Sequence, residues 1–304
     1  MKKLYNYYAG KNILVTGGAG FIGSSVVEKL VEYNAQVTVL DNFSTGSIEN
    51  LSSCAKKITI ISGDLTNPET CLITATNKSH IFHLAAKTSV QESIEQPDLY
   101  ELNNLIGTKN ILNAAKICGV KRFVFSSSAA VYGDQKNRCQ ETMPLNPLSP
   151  YAETKRLGER LCIDFYKKNQ FIPVILRYFN VDGSAQNKLS NYSAVIPIFI
   201  EKIKKRLPIT LFGDGMQTRD FVSLEDVVNA NLLAGACPFT QPEIINVGTG
   251  NSITLLELVR KLQKRFEFPE QTITFLPARA GDIIKSEADC TKFFALKQWG
   301  FEEK

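Results

Sequence analysis

The stretch Ile13–Thr16, Gly17-Gly18-Ala19-Gly20-Phe21-Ile22-Gly23 and the amphipathic run to Tyr33 constrain this chain more than any other. A short β-branched strand runs directly into a glycine-rich turn and then a helix. Glycines there let the turn tighten, let a pyrophosphate approach the backbone, and let the helix pack close on the strand. The helix N-terminus then meets the phosphates with unpaired N–H groups and a partial positive charge. The spacing is GxxGxxG, and alone it is weak, because glycine-rich strand ends also occur as plain turns. Asp41 strengthens it. That residue closes the second strand about 20 residues on, where a carboxylate accepts hydrogen bonds from the adenosine ribose. A 2′-phosphate would meet a like charge there, and Asn42-Phe43-Ser44-Thr45-Gly46 offers no Arg or Lys. The pattern therefore favours NAD over NADP, with Gly17, Gly20, Phe21, Ile22 and Gly23 at the pyrophosphate. Asp41, Asn42, Ser44, Thr45 and Gly46 fall at the ribose, and Asp64-Leu65, ending the third strand, at the adenine.

The rhythm of the first 180 residues extends this unit. Ile13–Thr16, Gln36–Leu40, Ile58–Ile61, Ile81–Leu84, Phe123–Ser126 and Val174–Tyr178 are short, β-branched or aromatic, and free of alternation. Strands buried on both faces read this way. Between them lie amphipathic stretches such as Phe21–Tyr33, Leu99–Cys118 and Tyr151–Lys168. Strand-helix-strand repetition predicts an α/β fold, a Rossmann-like doubly wound parallel sheet. After Asn180 the rhythm breaks. Asp182–Tyr192 reads as loop, a helix follows to Arg206, and Ile209–Phe212 and Ile244–Val247 read as short strands. A helix over Leu255–Phe266, a strand at Ile273–Leu276 and a last helix near Thr291–Leu296 complete the chain. The expected division is residues 1–180 for the dinucleotide, with 221–247 returning to that unit. Residues 181–220 and 248–304 form a smaller, discontinuous C-terminal α/β lobe for the substrate.

Composition narrows the function. Of 304 residues, 44% are hydrophobic and 21% charged, which marks a globular chain rather than a disordered one. A net charge of +5 with scattered basic residues argues against nucleic acid as a partner. No apolar run approaches the roughly 18 residues of a membrane span, and no apolar stretch follows the N-terminal lysines as in a signal peptide. Seven cysteines without a CxxC pair read as reduced thiols of a cytoplasmic protein. Two histidines make a zinc site improbable, so no metal is expected, and no GxSxG precedes a helix as in a serine hydrolase.

Tyr151 and Lys155 stand one helical turn apart on one face of a helix that Ser149 caps and Pro150 opens. The pattern YxxxK is cheap: Tyr7/Lys11 and Tyr132/Lys136 match it too. Tyr7 precedes the first strand and Tyr132 lies in a turn, whereas Tyr151 follows the fifth strand and Ser126-Ser127-Ser128. Hydride loss from a carbinol carbon needs a base for the hydroxyl proton. A phenol of pKa about 10 needs roughly 4 kcal/mol of help to serve near neutrality. Lys155 and an oxidised nicotinamide are two cations that supply it in a dry cleft. Ser128 would hydrogen-bond the reacting oxygen and pass the proton.

With these motifs in place, the chain resembles the extended short-chain dehydrogenase/reductases, and within them the UDP-hexose 4-epimerases. The resemblance is carried by Thr16–Gly23, Asp41-Asn42, Asp64-Leu65, His83–Ala86, Asn103–Thr108, Ser126–Gly133 and Tyr151–Lys155. It continues through Arg177–Gly183, Gly213–Val227, Asn246–Gly248 and Arg279–Asp282. It implies that Ala85, Ala86 and Lys87 run along the cofactor, that Asn104 braces them, and that Ser126 and Tyr178 lie near the nicotinamide. It further implies that Ser89, Asn180, Arg219 and Arg279 hold the diphosphate and uridine of a UDP-sugar, with Asp282 on the uridine ribose. Guanidinium groups suit a diphosphate because they bind its oxygens in pairs. A homodimer through the Leu99–Cys118 and Tyr151–Lys168 helices is the family's usual assembly.

Sister reactions are weighed by single positions. The 4,6-dehydratases of this family carry Asp-Glu just after the catalytic hydroxyl, where this chain has Ala129-Ala130, so elimination of water lacks its acid and base. A UDP-uronate epimerase or decarboxylase stays open, although no cation for the C6 carboxylate stands out. A non-catalytic NAD-binding regulator on the same fold is the remaining alternative. Counting past Arg279–Asp282 places Ser286 at the position that gates the pocket beside C2, where a small residue leaves room for an N-acetyl group.

Overall fold

Alternation between two cores, invisible as polarity in the sequence, organises the main sheet. In β1 (Asn12–Thr16), Ile13 and Val15 enter one hydrophobic cluster and Leu14 the other. The same division recurs for Phe82 against Ile81, and for Val124 against Phe123 and Phe125. A strand covered on both faces must be apolar on both, which is why these segments show no polar period. The sheet continues with β2 (Gln36–Asp41), the half-buried edge strand β3 (Ile58–Ser62), β4 (His80–His83), β5 (Arg122–Ser128) and β6 (Ile172–Tyr178), joined by a late strand, Glu243–Val247. All pairings among these seven are parallel. The order runs late strand, β6, β5, β4, β1, β2, β3. The chain builds outward from β1 in one direction and then returns to add β4 on its other side. Strand order therefore reverses between β1 and β4, and ligands of such sheets lie outside the carboxyl ends at that reversal. The computed structural model describes residues 2–169, 172–182, 195–268, 272–279 and 281–301.

Helices cover both faces. Phe21–Glu32, Leu224–Ala236 and Thr291–Phe301 pack together on one side, and Pro68–Ala75, Gly107–Ile117 and Pro150–Asn169 lie on the other. A smaller unit sits above the carboxyl ends. Ser252–Thr254 and Asn180–Val181 flank Thr218–Val222 in one sheet, and Ile209–Phe212 pairs in parallel with Ile273–Leu276. Its separate core joins Phe199 and Ile203 of helix Val195–Lys204 to Leu258, Val259 and Leu262 of helix Leu255–Arg265. A reciprocal capping box of Thr254 and Glu257 starts that second helix.

Several expectations are refined. Leu99–Cys118 is not one regular helix: Pro97–Tyr100 passes through a π-helical turn, Glu101–Ile106, into Gly107–Ile117. Within 221–247, helix Leu224–Ala236 and strand Glu243–Val247 join the large unit, whereas Thr218–Val222 pairs in the small sheet. Most of the expected loop Asp182–Tyr192, with Gly183, lies outside the described residues, as does Ala280. No helix among the described residues is long and apolar enough to cross a membrane.

The N-terminal element was not expected from the sequence. Lys2–Tyr8 forms a short helix beneath the amino ends of the strands, with Leu4 and Tyr8 buried. The Tyr8 hydroxyl donates to Leu232 O at 2.6 Å, and Tyr7 Oη meets His80 Nε2 at 2.9 Å. Tyr7 thus lies at the end of the sheet opposite the site described below. Replacing fully buried Tyr8 by alanine should cost about 3–5 kcal/mol in denaturant unfolding. A loss under about 1 kcal/mol would mean that this helix stands outside the cooperative unit.

Candidate functional site

A cavity of about 810 Å³ opens at the carboxyl ends of the main strands and reaches beneath the small lobe. Its floor is the turn after β1. Gly17 has φ +68°, and a Cβ there would fall 2.6 Å from the Ala85 backbone. A Cβ on Gly23 would fall 2.0 Å from Gly17 O, so only hydrogen permits the helix to seat on the strand. Gly20 caps helix Phe21–Glu32 without any side-chain bond, which leaves first-turn N–H groups for an anion. Gly17, Gly20, Phe21, Ile22 and Gly23 all line the cavity. Below them, Thr16 Oγ1 bonds His83 Nδ1 at 2.7 Å and His83 Nε2 bonds Thr108 Oγ1 at 2.8 Å. Burial, aided by the charge of Lys155, pushes the His83 pKa down to about 3, so this link is neutral.

The β2 end supplies a polar wall. Asp41 takes the N–H of Ala19 at 2.9 Å on one oxygen and that of Phe43 at 2.8 Å on the other. Burial raises its pKa, and those two backbone bonds oppose the rise. Each oxygen retains a lone pair for a hydroxyl donor. Burial also presses the Asp64 pKa upward, but the Thr66 N–H and the Asn42 amide outweigh it, and the net shift is down. Asn42 Nδ2 reaches Asp64 at 2.7 Å. Ser44, Thr45 and Leu65 line the cavity too, whereas Gly46 lies behind, with its Cβ position 2.8 Å from the Ala19 backbone. A glycine cradle closed to any Cβ, uncapped N–H groups and a carboxylate at the next strand end together fit a dinucleotide.

Past β4, Ala85, Ala86 and Lys87 form one side. Asn104 is not on the wall but braces it from the π-helical turn. It takes the Lys87 N–H at 2.8 Å, donates to Lys87 O at 2.9 Å, and reaches Thr154 Oγ1 at 3.2 Å. Ser89 is not on the wall either; its Oγ caps helix Val90–Glu95 by accepting the Glu92 N–H at 3.2 Å.

The opposite side gathers the residues that the sequence reading expects to handle the proton. Helix Pro150–Asn169 begins with Ser149 Oγ accepting the Ala152 N–H at 3.2 Å. One turn on, the Lys155 ammonium donates to Ser126 O at 2.8 Å. Burial pushes the Lys155 pKa down to about 8, against the pull of Glu159. Tyr151 packs edge-on to Tyr100 at 6.4 Å and lines the same cavity, as do Ser126 and Ser128. Ser128 Oγ accepts the Ala130 N–H at 3.2 Å, and the methyls of Ala129 and Ala130 follow it on the wall. The Tyr178 hydroxyl donates to Asn231 Oδ1 at 2.9 Å, and burial holds its pKa above the ordinary tyrosine value.

The small lobe closes the far end with Asn180, Arg219, Arg279, Asp282 and Ser286. Arg219 pairs with Asp282 and donates to Ile283 O at 2.7 Å. Burial lowers its pKa, and the Asp282 charge opposes this. The Arg279 guanidinium lies over the Phe212 ring, 3.5 Å from its centroid. Buried Ser286 faces the cavity. Sequence reasoning missed Phe212, Lys202 and Thr210 on this wall; Lys202 Nζ donates to Thr210 Oγ1 at 2.9 Å. The signal for Phe212 was a strand ending in Phe-Gly-Asp-Gly, a second glycine turn at a strand's carboxyl end. Among the described residues, no group of three or more His, Cys, Asp or Glu is placed to hold a metal.

The family model of the NAD dependent epimerase/dehydratase family matches residues 13–248. The chain is similar to a UDP-glucose 4-epimerase of Mycolicibacterium smegmatis, 35% identical with 94% of this chain and 92% of the relative covered. Among solved structures, it is similar to the UDP-N-acetylglucosamine 4-epimerase of Methanobrevibacter ruminantium in complex with UDP-N-acetylmuramic acid. The TM-score is 0.88 and the identity 36%, over 97% of this chain and 94% of that one. It is also similar to the UDP-glucose 4-epimerase of Thermus thermophilus in complex with NAD, with TM-score 0.84 and 35% identity over 93% and 92%.

Replacing Gly23 by alanine puts a methyl against the Gly17 carbonyl and should lift the helix from the turn. The expected result is at least about tenfold weaker NAD binding in a fluorescence titration, with a lowered Tm. Unchanged affinity would show that the turn relaxes around the methyl.

Proposed function

The chain belongs to the NAD dependent epimerase/dehydratase family, and from that premise we propose that it inverts C4 of a UDP-hexose or UDP-N-acetylhexosamine through a 4-keto intermediate. The observation that carries this reading is one cavity lined by the glycine cradle, Asp41, Ser128, Tyr151 and Lys155 together. NAD, which the glycine cradle and Asp41 would hold, would supply the hydride acceptor for C4 and the donor that restores it. The remaining steps belong to the chain's own side chains. Tyr151 withdraws the proton of the 4-hydroxyl, and Ser128 hydrogen-bonds that oxygen. Lys155, held at Ser126 O and stripped of water, stabilises the phenolate more than it would in bulk solvent. Its pKa near 8 leaves it mostly ammonium at neutrality, and its help is lost as pH rises through that value.

Arg219 and Arg279 suit the diphosphate and uridine end, with Asn180 and Asp282 beside them. The ketone then turns within the cavity and offers its other face. Ala129 and Ala130 supply no acid or base for eliminating water, which favours epimerisation over dehydration. Buried Ser286 leaves the C2 pocket open, which supports acetylated sugars as substrates. The large unit would hold the dinucleotide and the small lobe the nucleotide sugar. Exposed Leu102 and Ile106 on the segment before Gly107–Ile117 support a homodimer through that face.

Proton NMR of UDP-N-acetylglucosamine with purified protein and no added NAD tests the reaction, and appearance of the galacto epimer is expected. Tyr151→Phe should slow turnover at least about a hundredfold. Ser286→Tyr should abolish turnover of the acetylated sugar while sparing UDP-glucose. Equal losses on both sugars would sink the C2 argument, and a wild-type protein inert towards both would overturn the epimerase reading.

A further inference from the structure

The most deeply buried ion pair among the described residues lies directly behind the proton-handling side chains. Arg177 and Glu159 have side-chain exposures of only 2% and 5%. The guanidinium binds the carboxylate through two bonds, Nε to Oε1 at 2.9 Å and Nη2 to Oε2 at 2.7 Å. The Ser127 hydroxyl donates to the same carboxylate. Ser127 and Arg177 are direct register partners in β5 and β6, and the next pair in register is Ser128 and Tyr178. Glu159 therefore grips two neighbouring strands one residue before both present side chains to the cavity. Its other end is the helix that carries Lys155 one turn earlier on the same face. Arg177 also donates to Tyr132 Oη at 2.8 Å, and Tyr132 in turn to Asn246 Oδ1 at 2.7 Å. The turn that follows Ser128 is thereby tied into the same lock.

We propose that Glu159, clamped by Arg177 and Ser127, is a positioning residue that registers the Tyr151–Lys155 face of its helix against Ser128 and Tyr178 and serves as the counter-charge of Lys155. This rests on the roles given above to Tyr151 and Lys155. A hydrophobic contact would hold the helix equally firmly, and a buried ion pair contributes little net stability because desolvation offsets its attraction. What it adds is direction and charge. Lys155 is surrounded by few groups that could balance it. Tyr151, Glu159 and Cys162 face it from its own helix, neutral His83 from β4, the Ser126 carbonyl and Phe125 ring from β5, and the Arg177 and Tyr178 side chains stand on β6. Burial holds Cys162 as a thiol. Glu159 is thus the anion of this set before Tyr151 ionises.

The sign of the coupling follows. An anion beside a lysine favours its charged form, so removing the anion lowers the pH at which Lys155 loses its proton. In Glu159→Gln, the Lys155 signal in ε-¹³C-lysine NMR of the NAD-loaded protein should titrate about one pH unit lower than in the wild type. The alkaline limb of kcat should move with it, kcat should fall about tenfold, and KM should stay within about twofold. Glu153→Gln, on the exposed side of the same helix, should change neither. Should Glu159→Gln fail to fold because Arg177 is left unpaired, the double variant Glu159→Leu, Arg177→Met removes both charges and should show a displacement of the same sign but smaller, because the Arg177 cation that opposes the ammonium is lost too. A Lys155 titration unmoved in a folded variant would overturn the proposal and leave the pair a merely structural clasp. The NMR titration decides this even if the wild type proves inert on UDP-sugars, an outcome that would instead overturn the epimerase reading.

Discussion

Everything above the sheet is spaced by the contact between Gly23 and the Gly17 carbonyl, where no carbon fits. That contact seats helix Phe21–Glu32 on β1 and aims its N-terminus into the crevice where strand order reverses. Two hydrogen-bonded links carry the placement onward. Thr16, His83 and Thr108 join β1 to β4 and to the helix behind it. Lys87, Asn104 and Thr154 then join the strand end to the helix of Tyr151 and Lys155. The glycine turn and the Tyr151–Lys155 face are therefore parts of one hydrogen-bonded frame. A displacement at the first glycine turn reaches the second site without passing through solvent.

The small lobe is attached by a different device. Asp220 is fully buried and accepts the N–H groups of Thr249 at 2.8 Å, Gly250 at 2.9 Å and Ala288 at 3.2 Å. A buried carboxylate with three backbone donors repays its desolvation only when all are in place, so it holds the Thr249-Gly250 turn and the Ala288 segment to its strand in a single arrangement. Arg219, the preceding residue, points to the other face of the same strand and into the cavity. One strand thus anchors the lobe on one face and places a cation on the cavity wall on the other.

The architecture was legible because its signals are local. Strands of a parallel sheet covered by helices read as unbroken apolar stretches, and six of them appeared in order, the edge strand Ile58–Ser62 being only half-buried. The glycine turn with Asp41, and Tyr151 with Lys155 behind a Ser-Pro helix start, are likewise adjacent in the chain. What stayed hidden depends on distance or on brevity. Helix Lys2–Tyr8 is too short to display a period, and it is held by Tyr7 and Tyr8 against residues far along the chain. The π-helical turn that lets Asn104 face Lys87 has no composition of its own. Arg177 sat in a run read as a buried strand, but nothing local tells that Glu159, 18 residues earlier, will bury with it. Ser89 and Gly46 stand behind the wall rather than on it, a difference that spacing cannot express.

The family's very name spans two chemistries, so the fold does not choose between them; a few side chains do. Elimination requires a proton donor and acceptor at fixed points, and two alanine methyls beside Ser128 offer neither. Those two positions therefore disfavour elimination, since no rearrangement of methyl groups creates a base. The C2 pocket works by the opposite logic. A large side chain there rejects an acetamido group by collision, whereas a small one rejects nothing, and an unfilled space in a pocket costs a smaller sugar only about 1–3 kcal/mol. On the C2 role proposed for Ser286, the pocket would tolerate both sizes. Any preference between them must come from polar groups that meet the amide, not from the volume that admits it.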